Sequence, residues 1–498
     1  MSIRQVRELF DNTAPMAQKG KSVVEPGADA SDKLGIDSAV GAHDPCTHLA
    51  NAHRLAEHFH DQLLFVEGSG WHTWGPPWQR DKLGARRKAQ QLGRIIAKEG
   101  ADLAKWAADT SDVSQRKQRQ AVMERRFKWA TQSESAQAIE SSLRMAEPLL
   151  ACQAAELDAD PLLLGLPTGV LDLRTCMHRE YHPTDRITLV AGCSFDPSAK
   201  SPIWDRFLSE IMGENQDLLD YLQRLAGYSL SGQRGEHLLP IFWGAGANGK
   251  STFLASLQAM FGEYATTAAP GLLMVRNGSE HPTGLANLQG RRLVVTSETG
   301  ESGRLNEEVI KLITGGDRIS ARKMREDFFE FDPTHQLVLQ TNYRPRVTGT
   351  DNGIWRRLRL IPFIATIPED RRDPLLPTKL KSELAGIFNW ALQGWQKYQL
   401  HGFQTPVTVT AATSEYRQAS DSIGTFIAEC CEVDEIHTAA SAELYRAYVS
   451  WCEEAGERAR SQRDFGMRLA ERGFESTRGT QGARRWRGLK VAGGNEWC

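Results

Sequence analysis

The feature that most constrains the fold is the segment HLLPIFWGAGANGKSTFLASLQAMF, in which an apolar run, a glycine-rich turn and an amphipathic helix follow one another. The turn satisfies the pattern G-x-x-x-x-G-K-[ST]. Its glycines allow positive-φ geometry, which brings backbone N–H groups against phosphate oxygens, and the following helix adds the positive end of its dipole. The pattern therefore predicts a nucleoside triphosphate site formed by Gly244, Ala245, Gly246, Ala247, Asn248, Gly249, Lys250, Ser251 and Thr252.

Two side chains of this loop are expected to do most of the chemistry. Lys250 would pair with the β- and γ-phosphates of ATP, and the Ser251 hydroxyl would bind Mg²⁺. A second predicted strand, RRLVVTSE at residues 291–298, ends in Glu298, and Glu301 follows closely. A carboxylate at such a strand end orients Mg²⁺ or polarises the attacking water. Ser251 and Glu298 are the predicted metal ligands, whereas the division of labour between Glu298 and Glu301 stays open.

A third predicted strand, HQLVLQTN, ends in Asn342, which could hydrogen-bond the γ-phosphate or the lytic water. An asparagine at a strand end is also a common way to start a turn. Downstream, DNGIWRRLRLIPF places Arg356 and Arg357 before another apolar strand. Two adjacent arginines could serve solubility alone, but in an oligomeric ATPase either fits an arginine finger that enters the neighbouring subunit's site.

Between the second and third strands lies KLITGGDRISARKMREDFFEF, which predicts a β-hairpin with its turn near residues 325–327. Four cations cluster around that turn, and a basic hairpin inserted in an ATPase core suits contact with a DNA phosphate backbone. The alternative is a solvated charged hairpin. The cations concerned are Arg318, Arg322, Lys323 and Arg325.

A separate unit is predicted from about residue 421 to the end, where two helical segments, a glycine-rich turn and the strand RRWRGLKV suggest a winged helix. Residues 456–498 hold ten Lys and Arg against five Asp and Glu, a local excess typical of phosphate contacts. A basic lid that packs on the rest of the protein is the competing interpretation. The candidate DNA-binding residues are Arg463, Arg468, Arg484, Arg485 and Arg487.

The order GAGANGKST, RRLVVTSET, KLITGGDRISAR, LVLQTN and DNGIWRRLRLIPF resembles the superfamily 3 helicase module, more narrowly that of the phage and plasmid primase–helicases of the poxvirus-like branch. The resemblance runs from about residue 47 to about residue 490. It implies a multidomain α/β protein: an AAA+-like P-loop core with a central parallel sheet flanked by helices, an α/β N-terminal domain and a C-terminal winged helix. It further implies a homo-hexameric ring that moves on single-stranded and forked DNA in a bacterial host cytoplasm. ATP would lie between Lys250 and Glu298 of one subunit and Arg356 or Arg357 of the next.

Two departures from that family stand out. No primase catalytic domain is recognisable, so a separate primase or replication protein becomes a possible partner. Gly300 also replaces the second acid expected after the strand, and Glu301 is the candidate substitute. The predicted organisation is a flexible tail at 1–45, a helicase-associated domain at 46–195, a helical collar or linker at 196–235, the ATPase domain at 236–420 and the winged helix at 421–498.

The composition and charge of the chain limit the partners and functions that can be expected. Sixty Lys and Arg against 62 Asp and Glu leave a net charge of −2, so any polyanion must be held by local patches. The sequence shows no apolar run of the roughly 18 residues a membrane helix needs, which predicts no membrane partner. An origin-binding initiator or loader, whose ATPase drives assembly, is the main alternative function. A small-molecule P-loop kinase is disfavoured, because it has no use for the basic hairpin, the arginine pair and the basic C-terminal segment.

Overall fold

The computed structural model describes residues 45–492 except 214, 276–282, 299–302, 326, 350–351, 457–458 and 479–483. The predicted tail at 1–45 therefore lies almost wholly outside the described residues. Two compact units are formed, one by residues up to 60 with 82–151, the other by 61–81 with everything from 152 onward. This division runs through the predicted domain at 46–195, whose boundaries stay a prediction.

The first unit is helical. The Thr47 hydroxyl caps its first helix by accepting from the Ala50 amide at 3.1 Å. Asp112 caps the longest helix in the same way. Inside the unit the Glu99 carboxylate accepts from Arg54 and Arg126, both almost fully buried, at 2.6 Å each. The helices are α1 (His48–Phe59), α2 (Lys82–Ala89), α3 (Leu92–Ala108), α4 (Val113–Ser133) and α5 (Ala136–Ala146).

Small antiparallel sheets open the second unit. Strands β1 (Leu63–Val66), β2 (Gly70–Trp74) and β3 (Trp78–Arg80) form a meander, and β4 (Ala151–Cys152), at the junction of the two units, pairs with β1. Trp78 is fully buried there and packs against the ring of Trp74. A second three-stranded sheet consists of β5 (Leu163–Leu166), β6 (Gly169–Asp172) and β7 (Met177–Arg179).

The centre of the second unit is a five-stranded parallel sheet in the order β14–β8–β13–β10–β9. Four of its strands contain short apolar runs buried on both faces, as expected for a parallel sheet covered on each side, whereas the edge strand β9 is only partly buried. The predicted parallel sheet is thus confirmed. Its strands are β8 (Leu239–Trp243), β9 (Ala265–Thr267), β10 (Leu293–Glu298), β13 (Gln336–Thr341) and β14 (Leu358–Pro362).

Helices cover this sheet, and a separate β-hairpin lies between β10 and β13 in the sequence. The predicted hairpin is present as β11 (Ile319–Arg322) and β12 (Phe328–Phe331), with Arg322 opposite Phe328. The helices are α6 (Pro202–Met212), α7 (Gln216–Leu230), α8 (Lys250–Phe261), α9 (Thr283–Ala286), α10 (Glu307–Thr314), α11 (Asn352–Trp355), α12 (Leu376–Ser382), α13 (Leu384–His401) and α14 (Val407–Ala419).

The last segment, here called the C-terminal module (residues 421–492), has its own buried core around Phe426, Tyr448 and Trp486. Its strands form an antiparallel sheet in the order β15–β17–β16. Among the described helices of the whole chain, none combines the length and apolar content needed to span a membrane. The elements of the module are α15 (Ser422–Cys430), β15 (Cys431–Ala440), α16 (Ser441–Glu454), α17 (Gln462–Glu471), β16 (Glu475–Arg478) and β17 (Arg484–Val491).

Candidate functional site

The glycine-rich loop connects β8 to α8 at the carboxyl edge of the parallel sheet. Gly246 and Gly249 have φ values of 108° and 80°, and Ala247 also lies in the left-handed region at 49°. At Gly249 a Cβ atom would come within 2.4 Å of the Ile211 side chain, so glycine is required there for packing as well as for φ. The loop thus turns its backbone sharply just before the helix begins at Lys250.

Lys250 is almost fully buried, with 2% of its surface exposed. Its Nζ donates to the Gly244 carbonyl oxygen at 2.6 Å and to Asn248 Oδ1 at 3.0 Å. The Asn248 amide is held in turn by the Phe363 carbonyl oxygen at 3.0 Å. Burial lowers the pKa of the Lys250 ammonium, and no carboxylate among the described residues pairs with it. A buried cation with only neutral partners is suited to an anionic ligand such as a triphosphate.

Ser251 follows in the first turn of α8, and its Oγ accepts from Gln340 Nε2 at 2.6 Å. Gln340 lies one residue before the end of β13, so the neighbouring strand supplies a direct contact to the predicted Mg²⁺ ligand. Sequence reasoning selected Asn342, which follows the strand and is exposed, and it missed Gln340. The available signal was a polar residue directly after the apolar run Leu-Val-Leu, still within the predicted strand.

The predicted acids are only partly described. Glu298 is the last residue of β10, opposite Thr341 of β13 in the parallel register. Its backbone therefore lies at the same sheet edge as the loop and Gln340, but its side chain is outside the described part of the structure. Glu301 lies wholly outside the described residues. Both assignments stay predictions.

The two candidates for an arginine finger, Arg356 and Arg357, have different surroundings. Arg357 is 8% exposed, and its guanidinium donates to Thr314 Oγ1 at 3.2 Å and to the Gly353 carbonyl oxygen at 2.6 Å. Arg356, one residue earlier, is exposed. Arg357 is thus committed to contacts within its own chain, whereas Arg356 is available to a neighbour.

The cations of the β11–β12 hairpin gather at its tip. Arg322 lies over the Phe328 ring at 5.0 Å and Lys323 over the Phe329 ring at 5.7 Å, while Arg325 adopts a φ of 63° in the turn. Lys323 and Arg325 are exposed. Arg318, at the base, is 3.6 Å from Glu330 and 3.7 Å from Asp332. The sequence of the turn also contains Glu326 and Asp327, so three cations against two acids leave the tip a net charge of +1, while Glu330 and Asp332 lie close to Arg318 at the base.

Within the C-terminal module most of the candidate arginines have partners. Arg468 pairs with Glu471 at 2.8 Å and donates to the Thr348 carbonyl oxygen, which also accepts from Arg460. Arg484 donates to Ser476 Oγ at 2.7 Å and Arg485 to Thr438 Oγ1 at 3.1 Å.

Two of the candidate arginines of the module remain more accessible. Arg487 is exposed and reaches only the Glu435 carbonyl oxygen, at 3.5 Å. Arg463 is exposed on α17 and forms no ion pair with a described residue.

The expected basic character of this module needs a correction. Residues 421–455 carry eight Asp and Glu against one Arg, so residues 421–498 as a whole hold 11 cations against 13 anions, a net charge of −2. Some of these acids pair with the predicted basic segment: Glu432 lies 2.8 Å from Lys490, and Asp421 bonds Arg472. Charge summed over 456–498 alone overstated the field of the module, because the fold brings the acids of 421–455 into the same small domain.

Fold and site together define a multidomain α/β protein built on a five-stranded parallel sheet, with a lysine-bearing glycine-rich loop at its carboxyl edge. Comparison with protein families is more specific. Residues 52–213 match the family described as D5 N terminal like, and residues 418–488 the family described as Poxvirus D5 protein-like. Residues 242–357 match a family of unknown function (DUF5906). The chain therefore carries the domains of the D5-type primase–helicase family.

Curated relatives come from large DNA viruses. A "Putative helicase" of Acanthamoeba polyphaga mimivirus is 29% identical over 59% of this chain and 33% of its own length. A "Putative helicase" of Invertebrate iridescent virus 6 is 24% identical over 59% of this chain and 35% of its own length. A "Putative primase" of African swine fever virus is 28% identical over 59% and 34%. The chain thus spans about a third of the length of the curated relatives it matches.

These relatives belong to viruses of eukaryotes, so the expected bacterial host and phage or plasmid origin are not supported. Among solved structures, the apo C terminal region of NrS-1 is similar with a TM-score of 0.40 and 10% identity, over 59% of this chain and 77% of that one.

Proposed function

We propose that this protein is an ATP-dependent DNA helicase that acts in replication as a ring oligomer. The observation that carries the proposal is Lys250, a buried ammonium at the start of α8 whose partners are neutral oxygens. Relatives named as helicases or primases, together with the D5-type domains, support a helicase- or primase-like role in replication.

The site is suited to ATP hydrolysis by positioning and charge neutralisation rather than by covalent chemistry. ATP would supply the phosphoryl group, and Mg²⁺ would neutralise negative charge on the phosphates. Lys250 would exchange the Gly244 carbonyl oxygen for phosphate oxygens, and Ser251, held by Gln340, would offer its hydroxyl to the metal. Glu298 is the proposed base that orients water, with Glu301 and Asn342 as further candidates.

Arg356, rather than Arg357, is the residue that we propose completes the ATP site of the neighbouring subunit. Arg356 is exposed, whereas Arg357 is buried against Thr314 and Gly353. An arginine from the next subunit would stabilise the charge that develops on the phosphoryl oxygens, which is worth several powers of ten in rate in comparable enzymes. Such a site couples hydrolysis to movement between subunits of a ring, and a hexamer is the proposed state.

DNA contact is proposed for the tip of the β11–β12 hairpin, where Lys323 and Arg325 are exposed. The C-terminal module adds a second contact. Its order of helix, strand, two helices and two strands is compatible with a winged helix, and Arg463 and Arg487 are exposed on it. Arg468, Arg484 and Arg485 are less available, because each is bonded within the chain.

The test is ATP hydrolysis with and without single-stranded DNA, on protein whose mass is measured in solution. Stimulation by DNA and a hexamer mass support the helicase, and strand separation on a forked substrate completes the case. The double variant Lys323→Ala and Arg325→Ala should keep basal hydrolysis and lose unwinding. Unwinding at the parent rate would remove the hairpin from the mechanism, and hydrolysis that ignores DNA would remove the helicase assignment.

The second candidate is an origin-binding initiator or loader, favoured by the exposed Arg463 on a helix of a small α/β module. In that case DNA binding would depend on the base sequence, and ATP would drive only assembly. Footprinting on the replicon's own DNA and on random DNA separates the two functions. A protected site confined to the native sequence, without unwinding, selects the initiator.

A further inference from the structure

The first unit has a local excess of positive charge. Residues 45–60 and 82–151 carry 15 Lys and Arg against 9 Asp and Glu, a net charge of +6 in a chain whose overall charge is −2. Residues 421–498, in which the sequence suggested a basic surface, carry a net charge of −2. A local field of this size attracts polyanions.

Several cations of the unit are used by the fold itself. Arg54 and Arg126 both bind the Glu99 carboxylate, and Arg86 lies 2.6 Å from Glu140. Arg119 packs 4.3 Å above the Trp106 ring and donates to the carbonyl oxygen of that residue. Lys105 pairs with Asp102 at 3.1 Å. Apart from the Lys105 pair, which lies within α3, these contacts join helices to one another. None of these cations is counted as a ligand-binding group.

The remaining charge is concentrated on α3 and α4. Six exposed cations there form no ion pair within the described ranges 45–60 and 82–151, although Arg116 donates to the Thr110 carbonyl oxygen: Arg94, Lys98, Arg116, Lys117, Arg125 and Lys128. Arg94 and Lys98 are four residues apart and so share one face of α3. Lys117, Arg125 and Lys128 lie at i, i+8 and i+11, which places them on the side of α4 away from the buried Arg126 and Ala130. Glu124 is the exposed acid on that side of α4 and offsets one charge of the three.

The two helices form a close-packed hairpin that holds these cations on a fixed scaffold. Gly100 of α3 faces Phe127 of α4, and a Cβ atom at Gly100 would come within 3.1 Å of the ring. Gly93, seven residues earlier, faces the Glu134 side chain in the same way. The side chains Lys117 to Lys128 span about 16 Å at 1.5 Å per residue, which is roughly five phosphates of one DNA strand at 3.4 Å each.

We infer that the α3–α4 hairpin is a nucleic-acid contact surface that binds the phosphate backbone without reading base sequence. Lys117, Arg125 and Lys128 form this surface. The shared ligand chemistry is a polyphosphate strand, present in both single-stranded and duplex DNA. DNA binding by this surface does not require ATP hydrolysis, so the DNA affinity is measured without nucleotide.

The test is the affinity of the full-length protein for a fluorescent 30-nucleotide single strand and a 30-base-pair duplex, measured by anisotropy between 50 and 300 mM salt. The variant is Lys117→Gln with Arg125→Gln and Lys128→Gln, which keeps good helix formers on α4. The matched control replaces Arg144, Lys200 and Lys381 by Gln, three exposed cations outside the hairpin, for the same change in net charge.

Loss of three phosphate contacts should flatten the plot of log K against log salt by about two to three units and weaken binding at least tenfold at 100 mM salt. The DNA form that loses more affinity identifies the strand state that the hairpin holds. An affinity within twofold of the parent on both forms overturns the inference, as does an equal loss in the control. Melting followed by circular dichroism checks that the variant is folded. Hydrolysis without DNA should persist in it, which separates this outcome from a failure of the ATPase assignment.

Discussion

The parallel-sheet core and the C-terminal module both depend on basic residues, but they hold them in opposite ways. In the core, Lys250 is buried and bonded to neutral oxygens. In the module, Arg468 and Lys490 lie near the surface and pair with carboxylates. A buried cation without an acid is costly unless an anion or several dipoles compensate it, whereas an exposed ion pair costs and stabilises little.

This difference shows why one region could be interpreted from residue order and the other could not. The loop GAGANGKS positions its lysine through local backbone geometry, so the pattern itself predicts the location of the charge. Some cations of residues 456–498 pair with acids that lie up to about 60 residues away in the sequence, such as Asp421 beside Arg472 and Glu432 beside Lys490. The four predictions below test this contrast, in order of decreasing expected effect.

Lys250→Ala should show the largest effect, since it removes the buried cation on which the proposed site depends. ATP hydrolysis is expected to fall at least about 100-fold, as when one preorganised donor is lost from an active site. Hydrolysis is measured as phosphate release, with Lys381→Ala, an exposed lysine of the same unit, as the matched control. Turnover within tenfold of the parent would exclude Lys250 from the chemistry.

Arg356→Ala and Arg357→Ala should separate a role in turnover from a role in folding. Arg357→Ala leaves the Thr314 hydroxyl and the Gly353 carbonyl oxygen without their donor, which should lower the free energy of unfolding by about 1–3 kcal/mol. Arg356→Ala should leave the melting curve unchanged and abolish most oligomer-dependent hydrolysis. If Arg357→Ala instead kept full stability and lost turnover, the two roles would be reversed.

Gln340→Ala should shift the Mg²⁺ requirement, because it removes the donor that holds the Ser251 hydroxyl. One neutral hydrogen bond is worth about 1 kcal/mol, so the Mg²⁺ concentration for half-maximal hydrolysis should rise about fivefold. Nucleotide affinity measured in the presence of a chelator should stay the same. Asn342→Ala serves as the neighbouring control, and a larger Mg²⁺ shift in that variant would return the role to Asn342.

The smallest effects are expected for Arg463→Gln and Arg468→Gln. One variant should change DNA affinity and the other should change stability. Arg468→Gln breaks contacts to Glu471 and Thr348 and should cost about 1 kcal/mol of stability with little change in DNA affinity. Arg463→Gln should leave melting unchanged and weaken DNA binding a few-fold, as expected for one phosphate contact. Equal affinity losses in both variants would mean that module arginines act through overall charge.

A good part of the fold could be predicted from local patterns. The strand–loop–helix at residues 239–261 and the hairpin at 319–331 follow from apolar runs, glycines and turn residues within a few positions of one another. Helices between residues 101 and 147 follow from a stretch without glycine or proline. Each of these elements depends on neighbours in the sequence, which is why it could be located before the structure was known.

Other features depended on residues distant in sequence. Gln340 meets Ser251 across 89 positions, because β13 and β8 are adjacent in the sheet although they are far apart in the chain. The buried Arg357 contacts Thr314, although strands β11, β12 and β13 and helix α11 lie between the two residues in the sequence. No local pattern distinguishes a polar residue that ends a strand from one that points at a neighbour's hydroxyl.

The sequence by itself determined where a phosphate-binding loop can form and which residue types it contains, because backbone geometry and glycine placement are local properties. Tertiary structure alone decided which cations are available to bind a ligand. Folding paired Arg468 and Lys490 with acids, buried Arg357 in its own chain, and left Lys117, Arg125 and Lys128 exposed on the helical first unit. The physical reason is that the electrostatic effect of a charge depends on its distance from other charges and from water, and folding sets both.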